Sequence, residues 1–390
     1  MLAKVQQRQS KMPSFHLSIL LQPVACPRIM RHFLYFALSL GLALTIAAEE
    51  GEPVKVFILA GQSNMEGKGK IDPLLNHQIQ APETKAFFAH FHKDGKYIER
   101  DDVWINYLKR RGKLTVGYGS PGCIGLELEF GHVMGNHYDE PVLLIKTAWG
   151  GKSIGRDFRP PSSGLQPDEK INESVENRIK RDYNNLIRDE WNKDKKENPK
   201  ITRKEVEEKS SASMDQIRKA KAAEYHKQVV ESYGHFYRLM MTEIKTTLTE
   251  IKTRFPQYDG RGYDIAGFVW FQGWNDMFND NARNDYQTNL VHLINDIRKE
   301  VGQPDLPVVI GELGNDGRDG GKPMLAIRAA QKAAAKALGP YTVFVPTTQF
   351  ARPAKESPNV SHGHHWYGNA ESYFLIGDAL GQALLNLNTK

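Results

Sequence analysis

Short apolar runs alternate with amphipathic segments along most of this chain. Four of these runs, at residues 54–60, 141–147, 265–271 and 307–311, are bounded by Gly, Pro or polar residues. They are apolar at nearly every position rather than at every second one, which is typical of strands that are buried on both faces of a parallel sheet. We therefore predict a strand at each run.

Segments with apolar residues at helical spacing lie between or beyond these runs, at residues 126–137, 236–254, 286–300 and 324–338. Strands that alternate with helices predict an α/β domain, in which a doubly wound, mostly parallel sheet is flanked by helices. Ligands bind to such sheets at the carboxyl ends of the strands. The loops that follow the apolar runs are therefore the place to look for chemistry.

Residues 165–233 depart from this pattern, because they are dense in Lys, Arg and Glu. Apolar residues at helical spacing, among them Ile171, Val175 and Ile179, predict a charged helical insertion. It either packs on the edge of the domain or is partly disordered around residues 193–213. A solvated helical hairpin is the simpler interpretation, and a partner-binding arm is the alternative.

The N-terminal region carries the features of an export signal. An apolar stretch at residues 33–46 follows Arg31 and ends in small residues at positions 47 and 48. This pattern predicts a signal peptide over residues 30–48 and a secreted or periplasmic protein. The stretch is shorter than the roughly 20 residues that cross a bilayer, so we expect no stable membrane span.

If the signal begins at Met30, residues 1–29 are a non-native upstream leader and the domain occupies residues 49–390. The first 48 residues hold five basic residues and no acidic one, so without them the formal net charge falls from +6 to +1. A nearly neutral protein is poorly suited to bind nucleic acid, which requires a basic surface. Cys123 is then the sole cysteine, which excludes an internal disulfide and is typical of a small buried side chain.

Ser63 is the first candidate for a catalytic residue. The first apolar run ends at Gly61, and Gln62, Ser63, Asn64 and Met65 follow it. A serine at the carboxyl end of a buried strand and ahead of a helix exposes its hydroxyl near free backbone N–H groups. A helix N-cap is the alternative role for a lone serine in this position.

The sequence GQSNM at residues 61–65 resembles block I of the SGNH hydrolases, in the form found in sialate O-acetylesterases and acetylxylan esterases of carbohydrate esterase family six. Residues 125–131 (GLELEFG) resemble the block II segment GPELxFG, with Leu126 in place of proline. Residues 270–276 (WFQGWND) resemble block III, and residues 364–371 (HHWYGNAE) resemble block V. The resemblance implies a flavodoxin-like three-layer fold and a serine esterase that removes acetyl groups from an acetylated carbohydrate.

The resemblance also implies a role for each matching residue. Ser63 is the nucleophile, and His365 is its base, since the family places its histidine directly before an aromatic residue. Backbone N–H groups of Ser63 and Gly125 donate to the oxyanion, together with the side-chain amide of Asn275 or of Gln272. Each such donor contributes on the order of 3 kcal/mol. The two amides stay open as alternatives.

The triad's acid does not follow from the resemblance. Block V is commonly DxxH, and His362 stands where the aspartate belongs. Either Glu312 or Asp276 orients His365, or a backbone carbonyl does so and the enzyme works as a dyad. A zinc site at His362, His364 and His365 is an alternative, but no further ligand completes it, so we expect no metal and no cofactor.

Five residues near these blocks are expected to contact substrate: Gln62, Asn64, Trp149, Trp274 and Trp366. Tryptophan rings near the nucleophile suit sugars better than long lipid chains. Two other functions use the same residues. The first is an SGNH esterase or lipase that acts on a non-carbohydrate ester, and the second is a carbohydrate-binding homologue with impaired catalysis.

Overall fold

The computed structural model describes residues 51–388. The leader predicted at residues 1–29 and the signal peptide predicted at residues 30–48 lie outside the described residues. Within residues 51–388, no helix has both the length and the apolar character that a membrane span requires.

A seven-stranded sheet forms the centre of the molecule. In chain order the strands of the described residues are β1 (Val54–Gly61), β2 (Gly69–Lys70), β3 (His92–Lys93), β4 (Lys96–Tyr97), β5 (Arg100–Tyr107), β6 (Arg110–Leu114), β7 (Cys123–Ile124), β8 (Val142–Ala148), β9 (Tyr263–Phe271), β10 (Val308–Gly311) and β11 (Thr342–Val345). The central sheet has the order β11-β10-β9-β1-β8-β5-β6. All its neighbouring strands are parallel except the edge strand β6, which is antiparallel to β5.

Helices cover both faces of this sheet. In chain order they are α1 (Ser63–Glu66), α2 (Asn76–Gln80), α3 (Lys85–Phe88), α4 (Glu127–His137), α5 (Asp168–Glu197), α6 (Arg203–Lys209), α7 (Ser213–Ser232), α8 (His235–Thr249), α9 (Ile251–Arg254), α10 (Asp280–Asn284), α11 (Tyr286–Val301), α12 (Lys322–Ala337) and α13 (Ala370–Asn388). The predicted strands correspond to β1, β8, β9 and β10. The predicted helical segments correspond to α4, to α8 with α9, to α11 and to α12.

The strand β1 shows why the sheet is buried on both sides. Val56 and Ile58 point into a core that includes residues of α8, α11 and α12. Phe57 and Leu59 point the opposite way, into a core that includes residues of α4 and α13. Successive side chains of a strand face opposite sides of a sheet, so a continuous apolar run fills both cores. The predicted three-layer α/β fold is confirmed.

The charged region at residues 165–233 contains α5, α6 and α7. Ile171, Val175 and Ile179 of α5 pack against Val229 of α7 in a small core of their own. The shorter helix α6 begins at a capping box, in which Thr202 and Glu205 bond each other's backbone N–H groups. The spacing of a few apolar residues therefore builds a helical hairpin in a segment that is otherwise highly charged.

The chain reverses its direction across the sheet beside β1. Strands β5, β6 and β8 lie on one side of β1, and β9, β10 and β11 lie on the other. The crevice between the carboxyl ends of β1 and β9 is therefore the topological switch point, where parallel sheets bind their ligands. The segments after these two strands, residues 62–65 and 272–276, meet there.

Candidate active site

Ser63 lies directly after β1, at the start of the one-turn helix α1. The turn depends on Gly61, because a Cβ atom there would lie 2.2 Å from the carbonyl oxygen of Phe271. Ser63 is 7% exposed. Neither its hydroxyl nor its backbone N–H has a hydrogen-bond partner within residues 51–388, so both groups are available to a ligand.

The side chain of Gln62 fixes the orientation of a second amide, that of Asn275. The backbone N–H of Gly273 donates to Oε1 of Gln62 over 3.1 Å, and a backbone N–H is always a donor. Nε2 of Gln62 must therefore be the atom that donates to Asn275, and it reaches Oδ1 over 3.1 Å. The Nδ2 group of Asn275 is thereby turned away from Gln62, and within the described residues it has no partner.

The amide of Gln272, the alternative to Asn275, is engaged inside the protein. Its Nε2 donates to the carbonyl oxygen of Lys152 over 3.0 Å and to Asp276 over 2.6 Å. Its Oε1 accepts from the hydroxyl of Tyr286 over 3.1 Å. Both N–H donors of the Gln272 amide are therefore occupied, which leaves Asn275 as the free amide donor of block III.

The backbone N–H of Gly125, expected to face an oxyanion, donates to Oε1 of Glu127 over 3.0 Å. Oε2 of Glu127 in turn accepts from Nζ of Lys146 over 2.7 Å, and this ion pair is buried. Lys146 also donates to the carbonyl oxygens of Glu66 and Tyr118. In this structure the Gly125 N–H group thus belongs to a buried polar network and is not free for a ligand.

Asn64 connects the nucleophile segment to the C-terminal region. Its Nδ2 donates to the carbonyl oxygen of His364 over 3.0 Å, and its Oδ1 accepts from the hydroxyl of Tyr373 over 2.8 Å. Asn64 is 4% exposed and Gln62 is 2% exposed. Both residues were expected to contact substrate, but here their amides hold segments of the protein together.

The histidine of block V lies in an irregular helical turn, Gly363–Gly368. Trp366 and Tyr367 have φ angles of 53° and 52°, in the left-handed region that bulky residues rarely adopt. Such strain persists only where the surroundings enforce it, and Trp366 is 1% exposed in the core that includes α13. Trp366 therefore anchors the turn. Its ring, which was expected to line the cleft, has almost no exposed surface here.

The imidazole of His365 is held in its neutral form. Burial, followed by the charges of His364, Lys68 and His362, lowers the pKa of His365 to about 3. A neutral imidazole can accept a proton, as a general base must. Within the described residues no hydrogen bond joins His365 to Ser63, although the Asn64 contact brings their segments together.

Neither predicted acid contacts His365. Oε2 of Glu312 accepts from the backbone N–H groups of Thr347 and Thr348 over 2.8 and 3.3 Å, and Oε1 lies 4.0 Å from Arg328. Glu312 therefore holds the end of β10 to the loop after β11.

Asp276 is fully buried and accepts from the backbone N–H groups of Ile154 and Gly155 over 3.0 and 2.8 Å. Burial raises the pKa of Asp276 to about 6, against the lowering effect of these hydrogen bonds and that of Gln272. Asp276 therefore organises the loop after β8 and does not orient a histidine.

Asp316 is a carboxylate near the histidine turn that the sequence analysis did not consider. No hydrogen bond or ion pair within residues 51–388 joins it to His365, and its effect falls on His364. Burial lowers the pKa of His364, and the negative charge of Asp316 opposes that shift. Nδ2 of Asn315 donates both to Asp316 and to the carbonyl oxygen of Gly363, which links the loop after β10 to the histidine turn. Its position four residues after Glu312, beyond the end of a predicted strand, was the available signal.

Two of the predicted tryptophans are partly exposed near these segments. The ring of Trp274 lies 5.5 Å from that of Phe278 and 5.4 Å from that of His364, measured between centroids. Trp149 packs against Phe158 and Phe236. Trp274 thus has an aromatic surface next to the histidine turn.

Two of the cavities among the described residues have room for a ligand beside the site. One, of about 190 Å³, is lined by His365 together with Lys68, Lys70 and Cys123, among others. The other, of about 270 Å³, is lined by Asn275, by the loop after β8 and by α5. Among residues 51–388, no group of three or more His, Cys, Asp or Glu side chains is placed to hold a metal ion.

Comparison with known proteins identifies one matching family. A family model described as carbohydrate esterase, sialic acid-specific acetylesterase, matches residues 53–198 and 199–385. No curated protein matches the sequence. Among solved structures, one from Arabidopsis thaliana is similar at 16% identity with a TM-score of 0.47, over 86% of this chain and 98% of that one. A carbohydrate acetylesterase from Xanthomonas citri is similar at 15% identity with a TM-score of 0.44, over 84% of this chain and 55% of that one.

Proposed function

Since the chain belongs to the sialic acid-specific acetylesterase family of carbohydrate esterases, we propose that it removes acetyl groups from sugars with Ser63 as nucleophile and His365 as base. The observation that carries this mechanism is the contact of Asn64 with the carbonyl oxygen of His364. It ties the residue after Ser63 to the residue before His365. The segments of both groups therefore meet at the switch point of the sheet.

In the first half of the reaction, Oγ of Ser63 attacks the carbonyl carbon of the acetyl ester and its proton passes to the imidazole of His365. The carbonyl oxygen becomes an oxyanion. The backbone N–H of Ser63 and Nδ2 of Asn275 are the donors that we assign to it, because both are unoccupied within the described residues. Loss of one such donor typically lowers kcat by about 10²–10³.

In the second half, the imidazolium of His365 gives its proton to the sugar oxygen as the ester C–O bond breaks. The sugar leaves as an alcohol, and the acetyl group stays on Ser63. A water molecule, deprotonated by His365, then attacks the acetyl carbon. The bond from that carbon to Oγ of Ser63 breaks, His365 returns the proton to Oγ, and acetate leaves. The reaction needs no group beyond the ester, water and these side chains.

A serine–histidine dyad is the arrangement that we favour. Glu312 and Asp276 each accept hydrogen bonds from backbone N–H groups, and neither is hydrogen-bonded to His365. The burial of the ring and the tie between Asn64 and His364 then replace an aspartate in holding the turn. Replacement of Glu312 by alanine should accordingly affect stability more than the chemical step.

Export is a separate proposal, which rests on the sequence pattern of residues 30–48. Protein recovered from the medium or periplasm should begin at or near Glu49. Cell-associated protein that retains residues 1–48 would contradict it.

The function is tested by acetate release from O-acetylated sugars, compared with hydrolysis of long-chain p-nitrophenyl esters. Acetylated sugars should be preferred, and Ser63→Ala should abolish both activities while leaving the thermal unfolding temperature within a few degrees. Preference for long acyl chains would indicate a lipase instead. Sugar binding without hydrolysis would indicate an impaired homologue.

A further inference from the structure

The helical insertion forms one wall of the larger cavity beside the candidate active site. This cavity, which we call the insertion cavity, has a volume of about 270 Å³. Asn275 and the loop around Arg156 line one side, and Lys170, Ser174 and Asn177 of α5 line the other. The three α5 residues are spaced at helical intervals, so one face of that helix looks into the cavity.

The position of Asn275 links the insertion cavity to the reaction. The oxyanion and the sugar oxygen of an ester are attached to the same carbon atom. An ester whose oxyanion bonds Nδ2 of Asn275 therefore holds its sugar oxygen close to that amide, from which the sugar can extend into the cavity that Asn275 lines. The insertion cavity adjoins this position, and its lining of hydroxyl, amide and charged groups matches the hydrogen-bonding capacity of a polyol.

The positively charged side chains that line the insertion cavity are not all paired with carboxylates. Nε of Arg156 donates to the hydroxyl of Ser232 over 2.9 Å, and its Cζ lies 5.7 Å from the ring centroid of Tyr233, but its two Nη groups have no hydrogen-bond partner within the described residues. Lys170 is paired with Glu173, whereas Arg156 forms no ion pair with a carboxylate in this part of the chain. A half-buried guanidinium with two free Nη groups is suited to a planar or tetrahedral anion.

A second arginine, Arg178 of α5, lies outside the lining of the cavity but acts on Arg156 through its charge. Burial, followed by the positive charges of Arg156 and Arg181, lowers the pKa of Arg178. Nη1 of Arg178 donates to the neutral side chain of Gln228. The positive charge of Arg178 adds to that of Arg156, which favours an anion bound beside Arg156.

We propose that the insertion cavity is the sugar subsite and that the guanidinium of Arg156 binds an anionic group of the sugar, a carboxylate or a sulfate. The proposal deepens the function proposed above and rests on it. The insertion then determines specificity, because it supplies the wall that a ring in this position would contact.

The test compares two substrates that differ in one charge: an O-acetylated N-acetylneuraminate and its carboxamide. Arg156→Gln should raise KM for the acid about tenfold or more, as expected when a charge-assisted hydrogen bond is lost. The KM for the carboxamide and the kcat for p-nitrophenyl acetate should stay within about twofold, because neither depends on the charge. Arg203→Gln is the control for a loss of one positive charge, since Arg203 lies in the insertion and pairs with Glu207 outside the cavity.

A second variant tests the cavity independently of Arg156. Asn177 is an exposed residue of α5, so Asn177→Trp should fold and fill the cavity. It should raise KM for both sugars and spare p-nitrophenyl acetate, whereas Asn185→Trp, on the same helix and outside the cavity, should change neither. Unchanged KM values in both cavity variants, with sugar deacetylation intact in the wild type, would overturn this inference alone. A wild type that releases no acetate from any ester would overturn the proposed function as well.

Discussion

The side-chain amide of Asn64 donates to the carbonyl oxygen of His364 over 3.0 Å, and so joins two segments that are 300 residues apart in sequence. The same amide accepts from Tyr373 at the start of α13. One buried side chain thus holds the turn that carries His365 against the helix that begins with Ser63. The geometry of the proposed dyad depends on this contact.

Asn64→Asp tests that dependence, because it replaces the side-chain NH₂ group with an oxygen atom and preserves the shape of the side chain. The new carboxylate can still accept from Tyr373 but cannot donate to the carbonyl oxygen, so the histidine turn should loosen. We expect kcat for p-nitrophenyl acetate to fall by about tenfold or more, since small misplacements of catalytic groups are costly. Asn185→Asp, on the exposed face of α5, is the control. A variant with wild-type kcat would show that the contact does not position His365.

Gln62→Glu tests the orientation of the Asn275 amide. At pH 8 the introduced carboxylate can accept but not donate, so Asn275 should rotate its Nδ2 toward it and turn its oxygen toward the oxyanion. We expect kcat to fall by about 10²-fold with little change in KM, as when an oxyanion donor is lost.

The double variant Gln62→Glu with Asn275→Ala provides the control. Both changes remove the same donor, so their losses should not multiply. Losses that do multiply, or a fully active Gln62→Glu variant, would show that Gln62 does not act through Asn275.

As the pH is lowered, kcat/KM should begin to fall only well below pH 6.5. Burial and neighbouring positive charges lower the pKa of His365 to about 3, and the imidazole must be neutral to accept the proton of Ser63. The active fraction therefore stays high as pH falls through 6 and 5, and it is lost only as pH approaches the lowered pKa. Measurement of kcat/KM for p-nitrophenyl acetate between pH 4 and 8, with folding monitored in parallel, checks this. An inflection between pH 6 and 7 would mean that the base titrates as an exposed histidine.

Removal of one partner of the buried ion pair should destabilise the fold strongly. Lys146→Met leaves Glu127 buried and uncompensated, which typically costs about 3–5 kcal/mol. Lys113→Met is the control, because Lys113 pairs with Asp101 at the surface, where such pairs contribute about 0–1 kcal/mol. Urea unfolding measures both changes. Equal losses in the two variants would contradict the assignment of a special role to the buried pair.

The layers of the fold could be predicted from the segments in which apolar residues predominate. β1, β8, β9 and β10 are apolar runs, so burial on both faces could be inferred from composition alone. The hairpin of β5 and β6 was missed because Arg, Asp and Lys occupy much of it, as an edge hairpin permits. The helix α13 was missed as well, since its apolar residues surround most of the helix and mask the helical period.

The site was predictable only as far as local sequence determines it. The position of Ser63 follows from a strand, a glycine and a helix start that are adjacent in the chain. The choice between Gln272 and Asn275 depends instead on Lys152 and Tyr286, which approach Gln272 only in the folded protein. The burial of Trp366 likewise depends on left-handed backbone angles that the surrounding sequence does not predict.

Covalent labelling with a fluorophosphonate, mapped by mass spectrometry, tests the central claim most directly. The wild type should carry a single adduct at Ser63, Ser63→Ala should carry none, and His365→Gln should react at least about 10³-fold more slowly, because the hydroxyl then lacks its base. Labelling of another residue, or labelling of Ser63 at an unchanged rate in His365→Gln, would contradict the serine–histidine mechanism.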